Sequence, residues 1–297
     1  MTERSPIVTR FAPSPTGYLH LGHAYAALFA AQAARHKAGR FLVRIEDIDT
    51  GRCRAEFEDA IYEDLAWLGL NWEHPVRRQS DCMTKYQDAL TRLDEMGVIY
   101  PCFCTRKDIV AEIQSAGGAP HLSSHPTAVG PDGPLYPGTC RKLSPEEGQA
   151  KTASGKPFAL RLDIQKALQI TGPLHWTDSD RGEMTAEPEI FGDVILARKD
   201  TPTSYHLSVT LDDHIQGITL VTRGEDLLLA THIHRTLQAL LGLCTPCYRH
   251  HGLLKGADGL RLAKRDKAAT IRSLRESGHN PAEVCAMAGF SQVAREN

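Results

Sequence analysis

Apolar and polar positions change their period several times along the chain, and each change marks an element. "PIVTRFAPS" alternates and then enters a Pro-rich turn, which predicts a short strand. In "HLGHAYAALFAAQAARHKAG" the apolar residues Leu21, Ala24, Leu28 and Ala31 recur at helical spacing, and Gly39 reads as the helix stop. "RFLVRIED" is a buried-type strand ending in acidic residues. Strand, turn, helix and strand within about 40 residues make a βαβ unit. Its right-handed crossover puts the first turn at the C-terminal edge of the strands, where ligands bind. Phe57, Ile61, Leu65 and Leu68 then stripe one face of a second helix.

The texture changes after "YPCFC". Residues 115–138 are rich in Gly, Pro, Ser and His and carry neither period, the signature of a long functional loop. Alternation returns in "FALRLDI"; "FGDVILARKD", "SYHLSVTLDD" and "GITLVTRGED" read as successive strands, and "LLLATHIHRTLQALLG" as a strong helix. "AATIRSLRESGHNPAEVCAMAGF" predicts two short helices packed on the core. The architecture expected is an α/β core interrupted by an insert of roughly 100 residues, about one small domain. Its segments are residues 1–100 and 196–256 for the two halves of the core, 101–195 for the insert, and 257–297 for a basic loop and short helices.

Bulk composition narrows the class. The hydrophobic share of 41% is that of a globular chain, and no apolar run reaches the roughly 18 residues a membrane span needs. Residues 1–20 hold no basic segment followed by an apolar core, so no secretory signal is expected and the cytoplasm is the default location. A net charge of −2 gives no global attraction to nucleic acid, so any RNA contact has to use a local basic patch. Eight cysteines in this setting read as thiols or metal ligands rather than disulfides.

Three patterns carry chemistry. His20 and His23 flank Leu21-Gly22 at a helix start, where unpaired N–H groups attract phosphate. Gly22 lets a flat base or ribose approach the backbone, and two imidazoles can donate to phosphoryl oxygens as charge builds up. Arg10 and Arg223 both follow strands, and two guanidiniums converging at strand ends suit a carboxylate. Tyr205 adds a hydroxyl, and Glu46 is the natural partner of an ammonium group. Cys102 and Cys104, with Cys140 beyond the loop, supply three thiols toward a zinc site that needs a fourth ligand. His121 and His125 compete for that place, and three buried thiols without a metal are the alternative. Cys244 and Cys247 read as structural.

"FAPSPTGYLHLGH" resembles the HIGH signature of class I aminoacyl-tRNA synthetases in the form used by the glutamyl and glutaminyl branch. "RIEDIDTGRCRAEFEDAIYEDLAWLGLNW", "YPCFCT", "DDHIQGITLVTRGEDLL" and "RLAKR" follow in the family's order, so the likeness runs over most of residues 7–270. The resemblance implies a Rossmann-type catalytic core with an inserted α+β zinc-containing subdomain. It further implies ATP-dependent formation of glutamyl-adenylate, with Mg2+ accompanying the triphosphate. His20, Gly22, His23 and Lys264 would serve ATP, with His20, His23 and Lys264 in the catalytic roles. Arg10, Ala12, Ser14, Glu46, Tyr205 and Arg223 would hold L-glutamate. Zinc would be bound by Cys102, Cys104, Tyr136 and Cys140, the C-x-C and Y-x3-C pattern of the glutamyl-Q branch. A pocket with two arginines argues against glutamine, whose amide leaves buried charge uncompensated.

Arg261-Leu262-Ala263-Lys264-Arg265 departs from the family's K-[LM]-S-K-R, keeping the key lysine and losing the serine hydroxyl. Only 32 residues follow Arg265, too few for an anticodon-binding domain, so none is expected. That anatomy resembles the glutamyl-Q enzymes, which attach glutamate to the queuosine base of tRNA(Asp), here expected to act as a monomer without membrane contact. A minimal enzyme charging tRNA(Glu) and a non-catalytic RNA-binding relative remain as alternatives.

Overall fold

The computed structural model describes residues 6–35, 38–117, 129–254 and 269–290. The chain opens with β1 (Val8–Phe11), α1 (Leu21–Arg35) and β2 (Arg40–Ile45), followed by α2 (Ala55–Trp67), β3 (Arg77–Arg78) and α3 (Met83–Glu95). Its middle holds β4 (Ile99–Cys102), α4 (Arg106–Gly117), the hairpin β5 (Val129–Gly130) and β6 (Gly133–Pro134), and α5 (Pro145–Ala153). Next come β7 (Ala159–Leu162), α6 (Ile164–Thr171), β8 (His175–Asp178), β9 (Gly182–Thr185) and β10 (Ile195–Ala197). The last part comprises α7 (Tyr205–Ile215), β11 (Leu220–Gly224), α8 (Ala230–Leu241), β12 (Cys247–His251), α9 (Ile271–Glu276) and α10 (Pro281–Met287).

The βαβ unit forms as its pattern predicts: β1 and β2 pair in parallel from Val8 opposite Arg40 to Phe11 opposite Val43, with α1 between them. The reason for Gly39 is different from the one expected. The left-handed residue that turns the chain is Ala38, at φ 47°. Gly39 is needed because a Cβ there would lie 2.1 Å from the Ile7 carbonyl oxygen. β11 lies beside β1, where the Thr219 N–H donates to the Val8 carbonyl. β11, β12 and β8 run parallel, with β9 antiparallel at the edge. Thus β8 and β9, which lie within the sequence segment read as an insert, extend the sheet of β11 and β12. A separate antiparallel sheet, in the order β10-β7-β4, carries the rest of the middle segment.

Four hydrophobic clusters among the described residues hold these parts, and two are large. One gathers α1, β2 and α2 and is completed by Ile271, Leu274, Val284, Cys285 and Ala288 of the last two helices. Those helices begin as their sequences dictate: Thr270 and Asn280 are their N-caps, and Asn280 with Glu283 forms a capping box. The other cluster joins α3, β10, α7 and α8.

One element differs from its sequence reading. "SYHLSVTLDD" is helical, not a strand. Every residue from His206 to Asp213 is buried, so this stretch has no solvent face and no contrast of an apolar with an exposed polar side. Its β-branched Val209 and Thr210 bias propensity toward strand, and tertiary packing overrides that bias.

Candidate active site

The ends of β1, β2 and β11 and the start of α7 open onto one cavity of about 1000 Å³. Arg10, Ala12, Ser14, His23, Glu46, Tyr205 and Arg223 all line it, so residues 213 positions apart in sequence share one wall. His20 and Gly22 do not reach the lining. α1 begins at Leu21, and its first turn is anchored by the His23 and Ala24 N–H groups, which donate to the His20 carbonyl. The two imidazoles stack, with ring centroids 3.8 Å apart. His23 Nδ1 accepts from the His20 N–H at 3.2 Å, and His20 Nδ1 accepts from the Gly22 N–H at 3.1 Å. Each neutral ring therefore carries its proton on Nε2, the tautomer that donates. Gly22 is required by His20 itself, whose Cε1 would sit 2.9 Å from an added Cβ.

Arg10 is already engaged. Its Nε and Nη2 donate to the two oxygens of Asp213 at 2.8 and 3.2 Å, and its Nη1 donates to the Thr222 carbonyl at 3.0 Å. Asp213 also accepts from Arg44 at 2.7 Å. Arg44, wholly buried, donates to Glu46 at 3.0 Å and to Gln216 at 3.1 Å. Asp212 on the same helix accepts from Arg77, Gln79 and Tyr86. Three arginines thus face three carboxylates, Asp212, Asp213 and Glu46. Burial would push the Asp213 carboxyl up, but Arg10 and Arg44 hold it below its usual value. For Glu46 burial wins over Arg44, and its pKa is raised.

Arg223 is built differently. It is 6% exposed, and its partners are neutral. Nε donates to His250 Nε2 at 3.1 Å, Nη1 to His234 Nδ1 at 3.1 Å, and Nη2 to the Thr231 hydroxyl at 2.5 Å. The Tyr205 hydroxyl lies 3.5 Å from Nη1. No described residue supplies it an anion. Burial, then the Arg223 charge, holds the His234 pKa well below its usual value; the same causes bring His250 down to about 4, against the pull of Asp178. Ser204 and Thr222 are among the residues around the same cavity, and their hydroxyl oxygens are buried without a hydrogen-bond partner among the described residues. Ser204 occupies the N-cap of α7 but does not cap it. A buried cation with only neutral partners, at a cavity that also takes in the start of α7, can receive a small anion.

The family is given by likeness to known proteins. Residues 6–296 match the family described as tRNA synthetases class I (E and Q), catalytic domain. This chain belongs to that family. It is a tRNA synthetase, a ligase with ATP as a substrate. The synthetase is 48% identical to a glutamyl-Q tRNA(Asp) synthetase of Rhodobacter capsulatus, over 96% of this chain and 100% of that protein. It is 37% identical to a glutamate–tRNA ligase of Aquifex aeolicus, over 93% of this chain but only 55% of that one. Among solved structures it superposes on a glutamate–tRNA synthetase from Elizabethkingia anophelis with a TM-score of 0.79 at 26% identity, covering 96% of this chain and 61% of the other.

The synthetase brings its three candidate zinc thiols together as well. The Sγ atoms of Cys102, Cys104 and Cys140 all lie within 4.8 Å of one another. The Tyr136 hydroxyl is 3.5 Å from Cys104 Sγ and accepts from the Cys140 N–H at 2.7 Å. Three soft donors plus one oxygen at the edge of the β4 sheet fit a tetrahedral zinc. Burial pushes the Cys104 thiol up to about 11 and opposes ionisation of Cys140 too, where hydrogen bonds led by Tyr136 bring the pKa down overall. His121, His125 and Lys264 lie outside the described residues.

Sequence reasoning missed Asp213, Arg44, His206, His234, His250, Ser204 and Thr222. A signal was present for α7: Ser204, Ser208 and Asp212 recur every four residues, a helical spacing of polar groups inside a buried segment. For the partners of Arg10 there was none, because Asp213 lies 203 residues away.

Proposed function

We propose that this synthetase activates L-glutamate with ATP and transfers it to the queuosine base of tRNA(Asp), acting as a cytoplasmic monomer. The observation that carries the amino-acid choice is Arg223, a buried guanidinium with only neutral partners. It compensates the side-chain carboxylate of glutamate, whereas the amide of glutamine would leave it unbalanced. Tyr205 adds its hydroxyl, Ala12 and Ser14 shape the floor, and Glu46 takes the substrate ammonium. Arg10, held by Asp213, serves as a fixed, charge-balanced wall of the pocket rather than a second carboxylate fork.

The substrate α-carboxylate is already an anion, so its attack on the α-phosphate of ATP needs position and charge stabilisation more than a base. His20 and His23, with their protons on Nε2, donate toward the phosphoryl oxygens as pyrophosphate departs, and Gly22 keeps the pair stacked. Lys264 supplies a compact cation to the triphosphate, which Mg2+ accompanies. Cys102, Cys104, Tyr136 and Cys140 would hold zinc, which when bound ties β4 to the loop that returns at Cys140. Transfer to tRNA(Asp) rather than tRNA(Glu) is favoured by the identity with a glutamyl-Q enzyme along that relative's whole length.

Glutamate-dependent ATP–pyrophosphate exchange, followed by charging of tRNA(Asp) with and without queuosine, tests the reading. Glutamate on tRNA(Asp) only when queuosine is present is the expected result. Absence of exchange, or charging of tRNA(Glu) at its 3′ end, overturns it. About one equivalent of zinc in the freshly purified protein is expected, and less than about half an equivalent counts against the site.

A further inference from the structure

The β5–β6 hairpin at the cavity mouth is connected to Arg223 by a continuous line of side chains. Asp132, in the turn between those strands, lies 3.1 Å from His206 Nε2. His206 Nδ1 lies 3.2 Å from His234 Nε2, and His234 Nδ1 lies 3.1 Å from Arg223 Nη1. On the other side, Arg223 Nε meets His250, whose Nδ1 lies 2.7 Å from Asp178.

A guanidinium can only donate, and this fixes every proton in the line. His234 Nδ1 has to accept, so its proton sits on Nε2 and is donated to His206 Nδ1. His206 therefore carries its own proton on Nε2 and donates it to Asp132. By the same rule His250 accepts on Nε2 and donates from Nδ1 to Asp178. The direction is unique, and both ends terminate on carboxylates that can only accept.

From this geometry we infer that His206 and His234 are positioning residues: they lock the Arg223 fork in the orientation that receives the substrate carboxylate, with Asp132 at the mouth as the terminal acceptor. The inference rests on the glutamate reading of the cavity and deepens it. Aspartates in place of the histidines would orient Arg223 equally well, as Asp213 orients Arg10, but would neutralise the charge the substrate needs. Neutral imidazoles occupy two of the five guanidinium donors and leave the charge intact. Asp132 is 63% exposed on its side chain, so the line ends at the solvent-facing mouth of the cavity.

The test is glutamate-dependent ATP–pyrophosphate exchange by the full chain, with thermal midpoints measured in parallel. His206→Leu, which ends the line at His234, is expected to raise KM for glutamate at least tenfold while kcat and KM for ATP stay within about threefold. His206→Asn, which retains an acceptor in place of Nδ1, is expected to restore KM to within about threefold of the parent. Asp132→Ala, at an exposed position that does not endanger folding, is expected to raise KM about threefold alone and to add nothing in the His206→Leu background. An unchanged KM in His206→Leu, a fall in kcat with both KM values shifted alike, no rescue by asparagine, or a full additional effect of Asp132→Ala in that background each overturns the inference. If the parent shows no glutamate-dependent exchange, the glutamate reading itself fails; exchange by the parent with any of those outcomes removes the positioning role alone.

Discussion

Two buried arginines face the same cavity and are stabilised in opposite ways. Arg10 is neutralised by a bidentate carboxylate, Asp213, which also holds Arg44. Arg223 is held by imidazoles and a hydroxyl, with no anion among the described residues. Both are nearly free of solvent, so burial cannot explain the difference. The contrast separates two tasks: a charge paired within the protein builds the wall, and a charge left unpaired waits for a ligand.

Removing Asp213 should have the largest effect on folding. Asp213→Ala strips Arg10 of its carboxylate and Arg44 of one of its two hydrogen-bonded carboxylates, and is expected to cost about 3–5 kcal/mol in denaturant titrations. A loss below about 1 kcal/mol would erase the claim that the Arg10 side is structural. Arg223→Met should show the reverse profile. Glutamate kcat/KM in pyrophosphate exchange is expected to fall at least about 100-fold, roughly 2.7 kcal/mol, whereas stability moves by about 1 kcal/mol or less. Similar stability losses in both variants would break the comparison.

Acidity separates the two sides more gently. His250 titrates near 4 in the folded protein, against an ordinary value of 6.5. Between those values the unfolded chain binds the additional proton, so stability falls as pH drops from about 6.5 toward about 4. This group contributes at most about 1.4 kcal/mol per pH unit, and the buried His234 acts in the same direction. His250→Gln should flatten the slope in pH-dependent unfolding; a slope as steep as the parent's would assign the effect elsewhere. The smallest change belongs to Tyr86→Phe, which removes one of three donors to Asp212. About 1 kcal/mol of stability should be lost with KM for glutamate unchanged, and a shifted KM would mean that the acidic cluster reaches the ligand after all.

How much of this was readable beforehand depended on how local each cause is. The βαβ unit, the start of α1 just after His20 and the stripe of α2 follow from spacing within one segment; Arg10, Glu46 and Arg223 follow from their places at strand ends, and Ala12 and Ser14 only from the family resemblance. The helix from Tyr205 escaped because burial of His206–Asp213 removes the solvent-facing stripe and leaves only the four-residue recurrence of Ser204, Ser208 and Asp212 to mark it. Arg10 could be placed at a strand end, but not its pairing with Asp213, because that contact is made by the closed fold and not by neighbours in the chain. The histidines behind Arg223 were invisible for the same reason: His206, His234 and His250 come from α7, α8 and β12 and meet only when those elements pack.

The C-terminal helices set a timetable for synthesis. Ile271, Leu274, Val284, Cys285 and Ala288 complete the same apolar cluster as Leu28, Ile61 and Leu65, and the Ile271 N–H donates to the Leu19 carbonyl beside His20. A ribosome adding about 5–20 residues per second needs roughly 10–40 s to travel from the second helix to the ninth. Throughout that interval the first half of the nucleotide-binding layer has an open oily flank. The nascent chain is therefore most exposed to chaperones and to misassociation while its earliest motif is already made, and it becomes competent only when its last helices seal that flank.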